Sequence, residues 1–225
     1  KDPAAAVNAP VLCYSFAECQ QALGYFDDFK AFTLCQSMDA CFRVFNVAPI
    51  ILVNVLDPSN PAHTKENAAE DCSVSDGQAV YRADYVLLDT LVVQAGENTL
   101  ERDTDYIAVH AKDGSVLITL LSEEAKGAVQ LSVSSKSLDP SGVTQADIVG
   151  GVDAQTGKET GLELVRQIYP KLGMTPGLLL TPGWSQTPVV AAALQAKTES
   201  INGVYNCACL LDIPTEGENG AKVYT

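Results

Sequence analysis

Asp147-Ile-Val-Gly-Gly-Val-Asp-Ala-Gln-Thr-Gly-Lys-Glu-Thr-Gly-Leu-Glu-Leu164 is the stretch whose reading decides the fold. Its glycines and turn-forming aspartate punctuate a chain that then becomes periodic in apolar residues. Gly157–Leu172 carries Leu162, Val165, Ile168, Tyr169 and Leu172 at helical spacing, with Gly173 placed to cap the end. Gly177–Leu180 reads as a buried strand. Thr187 and Pro188 then open a helix over Val189–Ile201 that Gly203 ends. Val204–Ile213 reads as the next strand. Strand, helix and strand in that order predict a right-handed crossover between parallel strands.

The first sixty residues carry a second set of such signals. Val11–Phe16 is a short apolar run. Ser15 and Glu18 fit a capping box for a helix ending near Gly24. After a link at Asp27–Phe32, residues Thr33–Phe45 place Leu34, Met38, Cys41, Phe42 and Phe45 at helical spacing. Pro49 breaks that helix. Ile50–Leu56 is apolar on both faces, so a central strand is expected.

Between the two α/β parts the composition changes. Asp57-Pro-Ser-Asn-Pro61 is a stop signal, and Val80–Ser134 holds short β-type runs without a long helix. The runs are Asp84–Val93, Thr104–His110, Ser115–Leu121 and Ala128–Ser134, with an Asp-Gly hairpin signal at Lys112-Asp-Gly-Ser115. Leu138-Asp-Pro-Ser-Gly142 closes the segment. The expected organisation is a discontinuous α/β domain, residues 1–60 plus 147–225, interrupted by a small β-sandwich-like domain at 61–146. The fold class is thus α/β, or mixed α+β.

Composition narrows the function. The chain has 225 residues, 47% hydrophobic and 19% charged, which suits a packed globular fold. No apolar run approaches the roughly 20 residues of a membrane-spanning helix. A net charge of −14 argues against nucleic-acid binding, which relies on basic patches. The acidity serves solubility, or meets basic faces in an assembly. Seven cysteines, an odd number, mostly occupy apolar periodic segments and read as small core hydrophobes in a reducing place of synthesis. Lys1-Asp-Pro-Ala-Ala-Ala6 lacks an initiator Met, and Glu216–Thr225 lacks a closing element, so an internal fragment of a longer protein is expected.

Four constellations invite a chemical reading. Gly157-Lys158-Glu159-Thr160 suggests a phosphate loop. Yet Gly151 lies one residue too far away, and Glu159 stands where a magnesium-binding Ser or Thr is needed. Thr181-Pro-Gly-Trp-Ser185 follows a strand, where open α/β sheets place ligands. Ser185 does not sit in Gly-x-Ser-x-Gly, and His63 and His110 lie near or within the insert. Cys207 and Cys209 share one face of a strand. They form neither Cys-x-x-Cys nor a four-ligand zinc set. Cys35 and Cys41 read the same way. Asp57, Asp153 and Asp212 sit at strand or turn ends, where paired carboxylates do acid–base work but turn-capping is commoner. Catalytic, cofactor-binding and metal-binding residues are accordingly expected to be none, and no cofactor is expected.

Three segments resemble the tail sheath proteins of contractile phage and prophage tails. They are Ala48-Pro-Ile-Ile-Leu-Val-Asn-Val55, the β-rich insert ending in Val143-Thr-Gln-Ala-Asp-Ile-Val-Gly-Gly151, and the block from Asp147 through Gly177-Leu-Leu-Leu-Thr-Pro-Gly-Trp-Ser185, Ala192-Ala-Leu-Gln-Ala-Lys197 and Ile201-Asn-Gly203 to Leu211-Asp-Ile-Pro214. The last is the most specific. The resemblance implies a sheath domain of subtilisin-like topology, named for topology and not proteolysis, with the insert displayed outward. It implies a non-enzymatic subunit, made in the bacterial host cytoplasm, that polymerises helically around an inner tube. Contraction of the sheath then drives that tube through an envelope. Implied partners are copies of itself, the tube protein, and baseplate and tail terminator proteins, with no nucleic acid and no membrane insertion. The family's terminal arms, which add strands to neighbouring subunits, are expected to be missing here. Two rival readings stand beside this one. One is an α/β hydrolase-like or nucleotide-binding enzyme using Thr181–Ser185 and Asp212; the other is a recognition or adhesion module carried by the insert.

Overall fold

The computed structural model describes residues 5–213. The readings that concern Lys1–Ala4, Pro214 and Glu216–Thr225 lie outside them. Helix and strand are mixed, and the chain divides into two compact units. Among the described residues, Pro58–Gly142 forms one, and those before Pro58 and from Val143 onward form the other.

Strand β1, Pro10–Cys13, leads into helix α1, Phe16–Leu23. Ser15 Oγ accepts the Glu18 N–H at 3.3 Å, and the Glu18 carboxylate accepts the Tyr14 N–H at 2.8 Å. One donor of the first turn, the Glu18 N–H, is thereby satisfied, and the carboxylate holds the N–H one residue before the cap. Gly24 ends the helix at φ 75°. Helix α2, Thr33–Asp39, continues as a π-helical turn through Ala40–Val44, where the Phe45 N–H reaches the Ala40 carbonyl. Strand β2, Ile50–Val53, pairs antiparallel with β1. Among the described residues β2 lies in a two-stranded sheet and only Leu52 of it is buried, so the expected central strand is corrected to one strand of an antiparallel pair. Cys13, Cys19, Cys35, Met38 and Leu52 form the core here, ringed by Phe16, Tyr25, Phe29, Phe32 and Phe42. The Arg43 guanidinium lies 4.5 Å from the Phe16 ring centre, a cation–π contact.

The insert is built on a strand that the sequence pattern hides. Strand β3, Thr64–Ser75, is twelve residues long and turns through Asp76 and Gly77 into β4, Gln78–Tyr81. Both turn residues have positive φ, 50° and 72°, the geometry that matches strand twist in a two-residue hairpin. Strands β5 (Val92–Ala95), β6 (Asn98–Thr99), β7 (Tyr106–His110) and β8 (Val116–Leu120) follow. A one-turn helix α3, Glu123–Lys126, capped by Ser122, precedes β9, Gln130–Leu138. The seven strands form a single antiparallel sheet in the order β6-β5-β9-β3-β4-β8-β7. Both limbs feed one core, including Tyr81, Tyr106, Ile118, Leu131 and Val133, so the sheet curls over its own apolar face. The expected strand over Asp84–Val93 is corrected. Tyr85 has φ 56°, Leu88–Thr90 is a 3-10 turn, and only Val92 and Val93 belong to β5. The turn is fixed because Thr90 Oγ1 donates to the Leu87 carbonyl and accepts the Lys136 N–H.

Helix α4, Gln145–Val149, opens the last part. The Asp147 carboxylate accepts from both the N–H and the hydroxyl of Thr144. The helix expected over Gly157–Leu172 begins later, as a 3-10 segment over Gly161–Gln167 that passes into α5, Ile168–Leu172. Pro170 has no N–H to donate back to residue 166, which accounts for the tighter segment before it. Three residues per turn align Leu162, Val165 and Ile168, all buried; Tyr169 is turned outward. Gly173, φ 67°, provides the left-handed cap that was expected. Strand β10, Leu178–Leu179, pairs in parallel with β11, Ala208–Cys209, across helix α6, Pro188–Ala196. The longer strand expected at Val204–Ile213 shrinks to those two residues, because Ile201–Tyr205 closes a turn through Asn202 and Gly203. Gly177–Leu180 is likewise buried only at Leu179. Lys197 ties the end of α6 to Glu163 at 2.6 Å.

Candidate functional site

The loop after β10 gathers the groups that sequence reading set aside as an enzyme-like alternative. The Thr181 carbonyl accepts the N–H groups of Trp184 and Ser185, which tightens the turn. Gly183 has φ 77°, and a Cβ there would press on the Thr33 side chain. Ser185 is 3% exposed. Its hydroxyl donates to Asp212 Oδ2 at 2.8 Å and accepts the Asp212 N–H at 2.8 Å.

Ser185 and Asp212, 27 residues apart in sequence, therefore meet, and they meet as a closed reciprocal pair. A serine nucleophile needs an exposed Oγ and a base that can take its proton. Here the proton points at a carboxylate whose own backbone holds the oxygen in place, and the hydroxyl is enclosed. His63 and His110 belong to the Pro58–Gly142 unit, where His63 is buried beside Asn60. The geometry is that of a latch fastening the Thr181–Ser185 loop to the chain beyond β11. Thr181 Oγ1 is buried without a hydrogen-bond partner among the described residues.

The glycine-rich stretch is a hairpin-like loop. Val152 bridges Glu159, and the Thr160 N–H reaches the Gly151 carbonyl. Asp153 accepts from Gln155 N, Thr156 N and Thr156 Oγ1. Those donors hold its carboxyl below the usual range, the Thr156 N–H first. The N–H groups that would cradle a phosphate are thus already turned onto Asp153. Glu159 pairs with Arg166, which lowers its carboxyl, and accepts from Gln167 Nε2 at 2.8 Å. Gly150 and Gly161 have φ 69° and 58°; a Cβ on Gly150 would strike the Thr160 backbone, and one on Gly161 would strike the Asp147 and Ile148 carbonyls of α4.

All seven cysteines are free thiols. Burial raises the thiols of Cys13, Cys19, Cys35, Cys41 and Cys72, opposite to what a reactive thiolate requires. Cys207 and Cys209 are half-buried and pack on the cluster of Leu162, Val165, Leu179, Leu194 and Ile201. Among the described residues no three or more His, Cys, Asp or Glu side chains are grouped to hold a metal ion. Nor is any helix of these residues long and apolar enough to cross a membrane.

Sequence reading did not find a cleft of about 940 Å³ on the insert, bordered by Asp71, Glu97, Asp105, Glu124 and Val129. It opens between the β5–β6 turn and α3, elements that align these residues only in the folded state. Asp105 is already engaged there, accepting the Glu101 N–H at 2.9 Å.

The chain is 28% identical over 205 residues to the tail sheath protein of Burkholderia phage BcepMu. This chain resembles a phage tail sheath protein. The match takes in 90% of the chain and 41% of the sheath protein, so the chain spans about two fifths of that relative's length. No family model matches the chain. No solved structure matches it.

Proposed function

We propose that this chain is part of a structural sheath subunit of a contractile tail. In this reading the subunit polymerises helically around an inner tube and contracts to drive the tube through a target envelope. The observation that carries the proposal is similarity to a tail sheath protein over nearly the whole chain. The enclosed Ser185–Asp212 pair and the internally satisfied Asp153 loop support a structural role over catalysis. No cofactor enters the reading. The α/β part would carry the sheath topology called subtilisin-like, which the parallel β10–β11 pair across α6 suits. The insert, residues 61–146, would be a separate domain displayed outward, in keeping with its own core. The whole subunit would meet copies of itself, the tube protein, and baseplate and terminator proteins. Its place would be the virion tail, after synthesis in the host cytoplasm.

Antibodies against this chain test the proposal on phage or prophage lysates from its source. Gold label regularly spaced along contractile tails is the expected result. Label confined to soluble protein, with tails present and bare, would reject it.

A further inference from the structure

Arg43 sits in a seat made by three other side chains. Its guanidinium carbon lies 4.5 Å from the centre of the Phe16 ring and 5.8 Å from that of Tyr25. The two rings meet edge to face, 4.9 Å apart and at 74°. Arg43 Nη1 donates to Asp39 Oδ1 at 3.2 Å and to the Tyr25 hydroxyl at 3.5 Å. Aromatic faces that attract a cation, with a carboxylate to pair with it, are what a cation-binding cage needs. The seat is built in, because both rings pack on the core of Cys13, Cys19, Cys35, Met38 and Leu52. The π-helical turn Ala40–Val44, a rare geometry that recurs at functional sites, carries Arg43. Its occupancy is loose. The Arg43 side chain is 54% exposed, and exposed ion pairs within one helix are weak. Val44, Phe45 and Val47, all exposed, follow it in the chain.

We infer that Phe16, Tyr25 and Asp39 form a guanidinium-binding cage, filled by Arg43 in the free chain and, in its place, by an arginine side chain of a basic partner segment. The chemistry of the seat selects that ligand. A planar guanidinium stacks on a ring and pairs with the carboxylate at once, which a compact ammonium does less well. The net charge of −14 draws basic segments toward the chain. The exposed Val44, Phe45 and Val47 offer such a segment an apolar shelf beside the cage. Arginine and aromatic side chains are the usual anchors of interfaces. When the incoming arginine takes the seat, Arg43 turns into water, so the exchange leaves no charge buried and unpaired. The inference does not draw on the sheath reading.

Nuclear magnetic resonance titration of the chain tests this with two probes, ethylguanidinium and a Leu-Arg-Leu tripeptide blocked at both ends. Arg43→Ala opens the cage by removing an exposed side chain, so the fold should persist. That variant should bind ethylguanidinium saturably, with shifts in the Phe16 and Tyr25 ring signals. It should bind roughly fivefold more tightly than the parent, where Arg43 competes for the rings. Adding Asp39→Asn should weaken binding roughly fivefold, because the charged hydrogen bond is lost. Ethylammonium should bind less well than ethylguanidinium. In the parent, the tripeptide should move the Arg43 side-chain N–H signal toward its value in water, a readout that stands even if the variant misfolds. No saturable binding to the Arg43→Ala chain, or binding indifferent to Asp39, would overturn the cage. A tripeptide that leaves the Arg43 signal of the parent unmoved would overturn the exchange. The labelling of tails decides the sheath reading separately.

Discussion

At the scale of single residues, the chain uses its reactive-looking groups as fasteners. Ser185 closes a loop by donating to and accepting from Asp212. Ser185→Ala should therefore cost about 1–2 kcal/mol of stability, through the unsatisfied Asp212 N–H and carboxylate it leaves. Urea unfolding measures that loss. A fluorophosphonate probe should leave Ser185 unlabelled in the parent, and labelling would revive the hydrolase-like alternative. Gly150 presents the opposite case, a position where nothing can be added. It combines φ 69° with a backbone carbonyl, that of Thr160, in the place of a Cβ. Gly150→Ala is expected to cost more than about 3 kcal/mol, since strain and collision add. The Ser185 and Asp212 regions were legible as neighbours of strand ends. Their direct bond was not, because hydrogen bonds between residues far apart in sequence leave no periodic trace.

At the scale of elements, legibility followed apolar periodicity. Helices α1 and α6, the Gly173 cap and the parallel strand pair were all visible in the pattern of large apolar residues and turn formers. Strand β3 was invisible. Thr64–Ser75 reads Thr-Lys-Glu-Asn-Ala-Ala-Glu-Asp-Cys-Ser-Val-Ser, with Cys72 its one buried hydrophobic residue. It is a strand because β9 pairs along it, around a bulge between Asn67 and Glu70. Its polar register has an inner anchor: Asn67 donates to Ser135 and Ser137, and Tyr81 meets the Ser135 hydroxyl. The reverse error arose at Val204–Ile213, an apolar run with strand composition. Without a continuing partner strand, it keeps only two paired residues. Two element-level tests follow from this. Gly77→Ala places a Cβ at φ 72° in the β3–β4 turn, with open space around it, and should cost about 1 kcal/mol. Ile118→Ala removes a fully buried side chain from the middle of the curled sheet. It should cost about 2–5 kcal/mol. Thermal unfolding of each variant checks both values and their order.

At the scale of the whole molecule, the titrating groups predict a bounded pH window for stability. Asp105, Asp113, Asp139, Asp153 and Glu159 all have carboxyls lowered by hydrogen bonds or by Arg166. The folded state favours their ionised forms. Their contribution is complete above the unfolded carboxylate range of about 4 and is lost as pH falls through the lower folded values. The thiols Cys13, Cys35 and Cys72 and the phenol of Tyr106 are raised by burial. There the folded state favours the neutral forms. That contribution is present below the unfolded values, about 8.5 for Cys and 10 for Tyr, and declines as pH rises beyond them. The unfolding midpoint should hold between about pH 5 and 8 and fall on both sides. A midpoint still rising below pH 4 would contradict the carboxylate assignments.

The central claim is that this chain belongs to a subunit built to assemble, and it is tested most directly by negative-stain electron microscopy of the complete reading frame that contains it. The protein should be viewed alone and with a tail tube protein from the same source, over a range of salt and concentration. Regular hollow cylinders, longer and more uniform when the tube is present, are the predicted result. Discrete particles under every condition, with and without the tube, would contradict the account.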